Sequence, residues 1–377
     1  MMATAHVFIV DYNTFKYHLE YLFAGTGAGN KVIDFNNVST TTLHAQSENN
    51  LVGMIADINR IRVNDYVLFY LQQNYQMGIY EGKFYGIFKV IERRGFIDNN
   101  DSQQFLKNEL QKSLTFRILL QADDVYADGV TEWEALDEIS SIQSPNQMLW
   151  SLIYRKLKGN RGNTMITIYE FDRIKQLIRN KNNRNVLTGN YFTFNTQSQK
   201  IESCTQQNRY TGRQSNINLL PRLINKYSRN LQFEIHLQAY ILQNLENITP
   251  FSNEQIEWIG NEVSCGVGMQ RIDIMLSTVR NTNRVCIPIE LKSTEAYLSI
   301  TTQLQRYVDW IQQYYLPNRP SDLEPMIISR KISNKTSQNY LNLVAEFNTF
   351  NRRNNLQLRY VEFDIITNNI NFVEVIY

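Results

Sequence analysis

Apolar positions recur along the chain in two rhythms, and the rhythm changes near the middle. Up to about Ile178 short runs dominate: His6 to Val10, Asp65 to Gln72 (DYVLFYLQ), Phe84 to Glu92 (FYGIFKVIE), Leu114 to Gln121 (LTFRILLQ) and Thr164 to Tyr169 (TMITIY). Runs this short, rich in aromatic and β-branched residues and separated by polar turns, predict strands. Helices are expected between them at Asn13 to Phe23, near Trp133 to Ile139 and at Asn146 to Leu157. The mixture suggests a small barrel with helices around it. From about Asn230 the order changes to a helix (Leu231 to Leu245), three strands (Ile256 to Val263, Arg271 to Ser277, Val285 to Leu291) and a second helix (Ile300 to Tyr315). A strand (Met326 to Arg330), a helix (Gln338 to Phe350) and closing strands (Leu356 to Phe363, Ile370 to Ile376) complete an α/β sandwich pattern, so the whole chain reads as α+β.

Between these parts the periodicity fades into Asn, Gln, Ser, Thr and Arg, as in RNKNNRNVLTGN. Residues 179–229 are therefore expected to be a basic polar linker between a domain at 1–178 and one at 230–377. Ten Lys or Arg lie between Lys175 and Arg229 against one acid, Glu202. Such a run is either solvated or in contact with phosphates.

Composition narrows the class. A chain of 377 residues is comfortable for two domains, and 43% hydrophobic with 20% charged residues excludes global disorder. No apolar run reaches membrane-spanning length, and the N-terminus turns polar too soon for a signal peptide, so no membrane partner and a cytoplasmic location are expected. Three cysteines without CxxC spacing (Cys204, Cys265, Cys286) and four scattered histidines (His6, His18, His44, His236) argue against a disulfide framework or a zinc site. The net charge of +2 leaves a nucleic-acid partner to the placement of charge. The glycine-rich FAGTGAGNK (Phe23 to Lys31) lacks a following Gly-Lys-Ser/Thr and comes after a helix, so it fits neither the P-loop nor the dinucleotide fingerprint. A flexible or DNA-contacting surface loop is expected there, and no ATP requirement.

The stretch RIDIML…VCIPIELKS carries the chemistry, with Asp273, Glu290 and Lys292 inside apolar strands. A buried acid is costly unless paired or bound to a cation. Glu290 and Lys292, two apart, share one strand face. The short polar connection TVRNTNR reads as a hairpin that sets Asp273 beside Glu290. Two neighbouring carboxylates resist ionising together unless a divalent cation sits between them, and magnesium, for which manganese can substitute, suits such a sparse oxygen site. Lys292 would orient or deprotonate an attacking water, and the chemistry expected is phosphodiester hydrolysis. The alternative is a structural ion-pair cluster.

An Asp, an apolar strand ending in E-x-K, and a helix with Gln303, Arg306 and Tyr307 (TTQLQRYVDWI) together resemble the PD-(D/E)xK nuclease superfamily. With Glu234 on the opening helix (FEIHLQAYI), the stretch from Asn230 to Leu316 is similar to the C-terminal domain of NucS-type (EndoMS-type) endonucleases. The pattern departs from related chains at Met269-Gln270, where they often have glycine, although Gly266 and Gly268 are near. The resemblance implies Asp273 and Glu290 as metal ligands with the Leu291 carbonyl, Lys292 serving the water, Glu234 near the metal, and Gln303 and Tyr307 completing the site. More weakly, VNDYVLFYLQ, FYGIFKVIE and LTFRILL look like EVE and other PUA-like barrels, joined by ALDEI and MLWSLIYRKLKGNRG. That likeness implies a reader of a flipped, modified base, with Phe69, Tyr70, Trp133 and Trp150 as pocket candidates. The joint expectation is a magnesium-dependent restriction endonuclease on double-stranded DNA, acting as a homodimer and selecting sites through its N-terminal barrel. The other expectations are a repair endonuclease for mismatched or branched DNA and an inactive nuclease fold that only binds nucleic acid.

Overall fold

The apolar runs of the first half pair into one curled sheet. The computed structural model describes residues 3–27, 29, 32–36, 38, 48–153, 162–266, 270–316 and 322–377. It divides into two units, and the first comprises Ala3–Asp34 and Thr42–Ile217. Its sheet is built from β1 (Ala5–Val10), β2 (Phe23–Thr26), β3 (Tyr66–Leu71), β4 (Lys83–Val90), β5 (Phe96–Ile97), β6 (Phe116–Ala122), β7 (Val130–Thr131) and β8 (Asn163–Ile166). Among the described residues the order is β2-β6-β4-β3-β1-β8, with β5 on β6 and β7 on β4; β1 and β3 are parallel. Helices α1 (Phe15–Glu20), α2 (Glu48–Asn59), α3 (Lys107–Leu110), α4 (Glu132–Asp137), α5 (Trp150–Ile153) and α6 (Ile168–Lys181) accompany it.

Local chemistry sets several boundaries. Thr167 accepts the Glu170 N–H while Glu170 accepts that of Thr167, a capping box that starts α6 and stops β8 short of Tyr169, where the strand was expected to run. Helix α2 went unpredicted because Leu51 to Asn59 are buried all round, and no polar stripe marks a helical period. The expected surface loop at Phe23 to Lys31 is in its first part the buried strand β2, antiparallel to β6. A Cβ on Gly27 would lie 2.2 Å from the Ser113 carbonyl oxygen, so glycine is required there by close backbone approach and not by ligand binding. Ala28, Asn30 and Lys31 of that loop, and the Tyr154 to Arg161 part of the MLWSLIYRKLKGNRG match, lie outside the described residues.

The region 179–229 is no linker in this structure. Strands β9 (Phe192–Asn195) and β10 (Lys200–Ser203) form a hairpin whose Phe192, Phe194 and Ile201 are buried in the first unit. The Phe194 ring lies 4.7 Å from that of Phe15 and 5.6 Å from that of Tyr85. Further along, Ile97 and Ser215 exchange backbone hydrogen bonds. Four of the ten cations of the run pair with acids there: Lys175 with Asp124, Lys181 with Glu134, Lys200 with Asp128, and Arg213 with Asp98 and Asp101.

The second unit comprises Asn218–Tyr377 with Phe35, Asn36 and Val38. Helices α7 (Leu220–Ser228) and α8 (Glu234–Asn244) precede β11 (Gln255–Ser264), β12 (Arg271–Arg280) and β13 (Asn283–Glu295). Then follow α9 (Ile300–Trp310), β14 (Met326–Arg330), α10 (Gln338–Asn354), β15 (Arg359–Ile366) and β16 (Asn369–Glu374). The six strands lie in chain order, β11 to β13 as an antiparallel meander, β13 to β15 parallel, and β16 antiparallel at the edge. Among the described residues no helix is long and apolar enough to cross a membrane.

The hairpin makes a checkable difference to the boundary. Burying Phe192, Phe194 and Ile201 is worth about 1.5–3 kcal/mol each, together comparable with the whole stability of a domain. A fragment of residues 1–217 is expected to melt cooperatively by circular dichroism, whereas one of residues 1–178 is expected to melt without a transition or to aggregate. Equal melting of the two would contradict this packing.

Candidate active site

The register of the β12–β13 hairpin decides which side chains meet. Its turn is the residue pair Asn281-Thr282, both at positive φ (48° and 76°), the twist that closes a tight two-residue hairpin. Counting from the turn, Ile274 pairs with Ile289, so Asp273 and Glu290 come next, on adjacent strands. A slip of one residue between the strands would put the two carboxylates on opposite faces. Strand β13 runs on past this point and carries Lys292 and Ser293.

Each acid is held by specific donors. Asp273 Oδ2 accepts the Leu291 N–H at 2.8 Å. Glu290 has no exposed surface, and its Oε1 accepts from Lys292 Nζ at 2.5 Å. The Tyr307 hydroxyl lies 2.7 Å from Glu290 Oε2 and 2.8 Å from the Arg271 carbonyl, with one hydrogen to share between them. Gln303 Nε2, one turn earlier on α9, donates to that hydroxyl at 2.9 Å. From the other side α8 contributes Glu234, exposed in its first turn, whose Oε1 accepts the Ser293 N–H at 3.3 Å and faces Ser293 Oγ at 3.5 Å. Gln238, one turn later, donates Nε2 to the Asp273 carbonyl at 2.7 Å. Sequence reading missed Gln238; its place four residues after Glu234, on the same helix face, was the available signal. Arg271 pairs with Glu262, and Arg306 is exposed.

Charge is unbalanced here. Burial, and then the charge of Glu290, hold the Asp273 carboxyl well above the usual range, against the pull of the Leu291 N–H and Lys292. Burial likewise raises Glu290, with Lys292 opposing. For Lys292 burial pulls downward, but Glu290, Glu234 and Asp273 outweigh it and leave the ammonium above its ordinary value. Burial and Glu290 together push the Tyr307 phenol up. Two carboxylates thus share one ammonium.

The donor set fits a hard cation. Among the described residues no three His, Cys, Asp or Glu side chains gather closely enough to hold a metal by themselves. Asp273 and Glu290, with the Leu291 carbonyl that the resemblance implies, would make an all-oxygen set of the kind that suits magnesium with several retained waters and does not suit zinc. Because both Glu290 oxygens already accept from Lys292 and Tyr307, a cation would draw Glu290 away from one of these donors.

The aromatic candidates of the first unit are not brought together in this way. Phe69 and Tyr70 are consecutive on β3 and point to opposite faces, so they do not line one pocket. Both are core: Phe69 packs against Phe15, His18 and Phe88, and Tyr70 packs on Phe84 with its hydroxyl on Glu132. Trp133 on α4 is 56% exposed, and Trp150 on α5 is half-buried. Of the glycine-bearing approach to Arg271, Gly268 and Met269 lie outside the described residues.

No protein-family model matches this chain, and no curated protein matches it. Among solved structures, the crystal structure of the human THYN1 protein in complex with 5-methylcytosine-containing DNA is similar over 46% of this chain and 97% of that one. The sequence identity is 10% and the TM-score 0.26, a likeness too slight for anything about this chain's ligand to follow from it.

The charge imbalance has a stability signature. A carboxyl that binds its proton more tightly folded than unfolded loses stability as pH rises above about 4. Asp273→Asn keeps an oxygen for the Leu291 N–H and removes one charge. In EDTA at neutral pH it is expected to raise Tm by a few degrees, the shift of about 1 kcal/mol in a unit of this size. The rise should shrink toward pH 4, and magnesium should raise the Tm of the wild type but not of the variant. A lower Tm for Asp273→Asn throughout would show the cluster to be structural.

Proposed function

We propose that this chain is a magnesium-dependent endonuclease that hydrolyses phosphodiester bonds of DNA. The observation supporting this is the Asp273–Glu290 pair on adjacent strands, Glu290 fully buried and Asp273 half-buried, with Lys292 and Tyr307 on the Glu290 oxygens. Two carboxylates in a poorly solvated site are unfavourable for folding, and such perturbed groups concentrate where chemistry is done. Held by Asp273, Glu290 and the Leu291 carbonyl, magnesium would neutralise charge on a phosphate and acidify a bound water.

The chain's own residues supply the rest. Lys292 Nζ, on the same strand face as Glu290, orients the water or donates to the phosphate oxygen that gains charge. Tyr307 and Gln303 fix the Glu290 carboxylate in one orientation, so little reorganisation is needed at the moment of reaction. Glu234 steadies the Ser293 end of β13. In this reading the first unit selects the site or a modified base. One such cluster per chain would make a homodimer the simplest way to cut both strands of a duplex, giving a restriction-type enzyme.

Matched phage-length duplexes, one unmodified and one carrying modified cytosine or adenine, are the test substrates. Wild type with magnesium is expected to give discrete bands from at least one of them. Lys292→Ala and Asp273→Asn should each cost about 100-fold or more in rate, and Tyr307→Phe about 10-fold. Cleavage by Asp273→Asn at the wild-type rate would remove the basis of the proposal. Absence of cutting on both duplexes, with cutting of mismatched or branched DNA, would move it to a repair nuclease.

A further inference from the structure

Beyond the candidate active site, the second unit holds a polar cleft of about 780 Å³ where β13 and β14 end. Its lining includes Tyr227, Asn230, Glu295, Arg330, Lys331 and Asp364. The cleft begins where the site stops: Glu295 lies three residues past Lys292 on β13 and pairs in register with Arg330 on β14. Strand β13 is irregular between Leu291 and Glu295, and the regular alternation along β14 puts Arg330 on the Leu291 face of the sheet, opposite Glu290 and Lys292. Strands β13, β14 and β15 are parallel, and the carboxyl ends of parallel strands are where open sheets bind ligands.

The cleft's charges are not equivalent. Asp364 is satisfied on both oxygens, Oδ1 accepting from the Tyr227 hydroxyl at 3.2 Å and Oδ2 from Lys331 Nζ at 3.3 Å. Glu295 Oε1 accepts the Ser333 N–H at 3.3 Å. Arg330 differs, because among the described residues it has no carboxylate partner. Its guanidinium lies 4.2 Å over the Tyr227 ring and donates through one Nη to Asn230 Oδ1 at 3.3 Å. Stacking occupies the flat face of the guanidinium and none of its in-plane N–H groups. A cation with donors to spare and no carboxylate within ion-pair distance, although Glu295 and Asp364 line the same cleft, matches a phosphate diester, which takes two parallel N–H bonds from such a fork.

We infer that Arg330, held by Tyr227, binds a backbone phosphate of the nucleic acid. This rests on the nuclease reading above and adds to it a substrate contact outside the metal-binding residues.

The test is binding of a short fluorescein-labelled DNA duplex in EDTA, followed by anisotropy across a salt series. Asp273→Asn serves as the parent, so that cleavage plays no part. Adding Arg330→Gln is expected to weaken binding about 5- to 30-fold near 0.1 M salt and to lower the slope of log K against log salt by about one. Adding Arg330→Lys instead should keep the slope and lose only a few-fold, because the charge remains while the fork and the stack are lost. An unchanged slope and affinity with Arg330→Gln, while the parent binds, would overturn the inference and leave the nuclease reading intact. A reduced slope with Arg330→Lys would also overturn it, by showing that the effect is not the phosphate charge contact. Failure of the parent to bind duplex at any salt would overturn both.

Discussion

Setting a fully buried carboxylate, Glu290, beside a half-buried one, Asp273, on one hairpin is the constraint around which the second unit is organised. Each carboxylate taken from water loses several kcal/mol of solvation, which an apolar sheet alone does not return. The surroundings respond element by element. Strand β13 supplies Lys292 and the Leu291 N–H, and α9 supplies Tyr307 braced by Gln303. Helix α8 grips both strands, through Glu234 on Ser293 and Gln238 on the Asp273 carbonyl. Even so the acids stay reluctant to ionise, so the compensation is incomplete. A merely structural cluster gains nothing from such a residue of cost, whereas a site that must attract a cation depends on it.

The first unit meets its own buried charges differently. Arg117 and Asp98 are both fully buried 3.3 Å apart, and the guanidinium lies 5.1 Å from the Phe23 ring centre and 5.5 Å from that of Tyr210. Its remaining donors reach the carbonyls of Leu114 and Phe105. Asp98 in turn accepts from Tyr210 and Arg213, which anchors the polar stretch before the second unit. Here opposite charges are matched and hydrogen-bonded, which is the arrangement of a structural latch. Four of the ten members of the cationic run that starts at Lys175 are likewise matched with acids of this unit.

The second unit also pairs cations with local acids, as Arg280 with Glu254 and Glu324, Arg284 with Glu257, and Arg359 with Glu374. Two of its cations differ: Lys292 is shared among several acids, and Arg330 has a ring and an amide in place of an acid. Charge totals conceal this, since the chain carries a net charge of only +2.

The sequence by itself determined the elements of the second unit from α8 onward, though not α7 inside the expected linker, and the members of its cluster other than Gln238. Strand β12, the E-x-K end of β13, and the Gln303–Tyr307 turn of α9 follow from periodicities of two and of about four, which are local properties of the backbone. It could also place Asp273 near Glu290, because a two-residue turn leaves little freedom of register. Tertiary structure alone decided the rest. Gln238 reaches the Asp273 carbonyl only because α8 packs on the hairpin, and Arg330 meets Tyr227 only because a parallel crossover brings the end of β14 to α7. Buried all round, α2 carries no stripe, and the polar stretch 179–217 conceals a hairpin held by three apolar side chains. Phe69 and Tyr70 read alike as aromatic strand residues until the pleat sent them to opposite faces and the core enclosed both. Sequence patterns report which residues share a face; which faces meet depends on contacts between segments far apart in the chain, and no local periodicity records those.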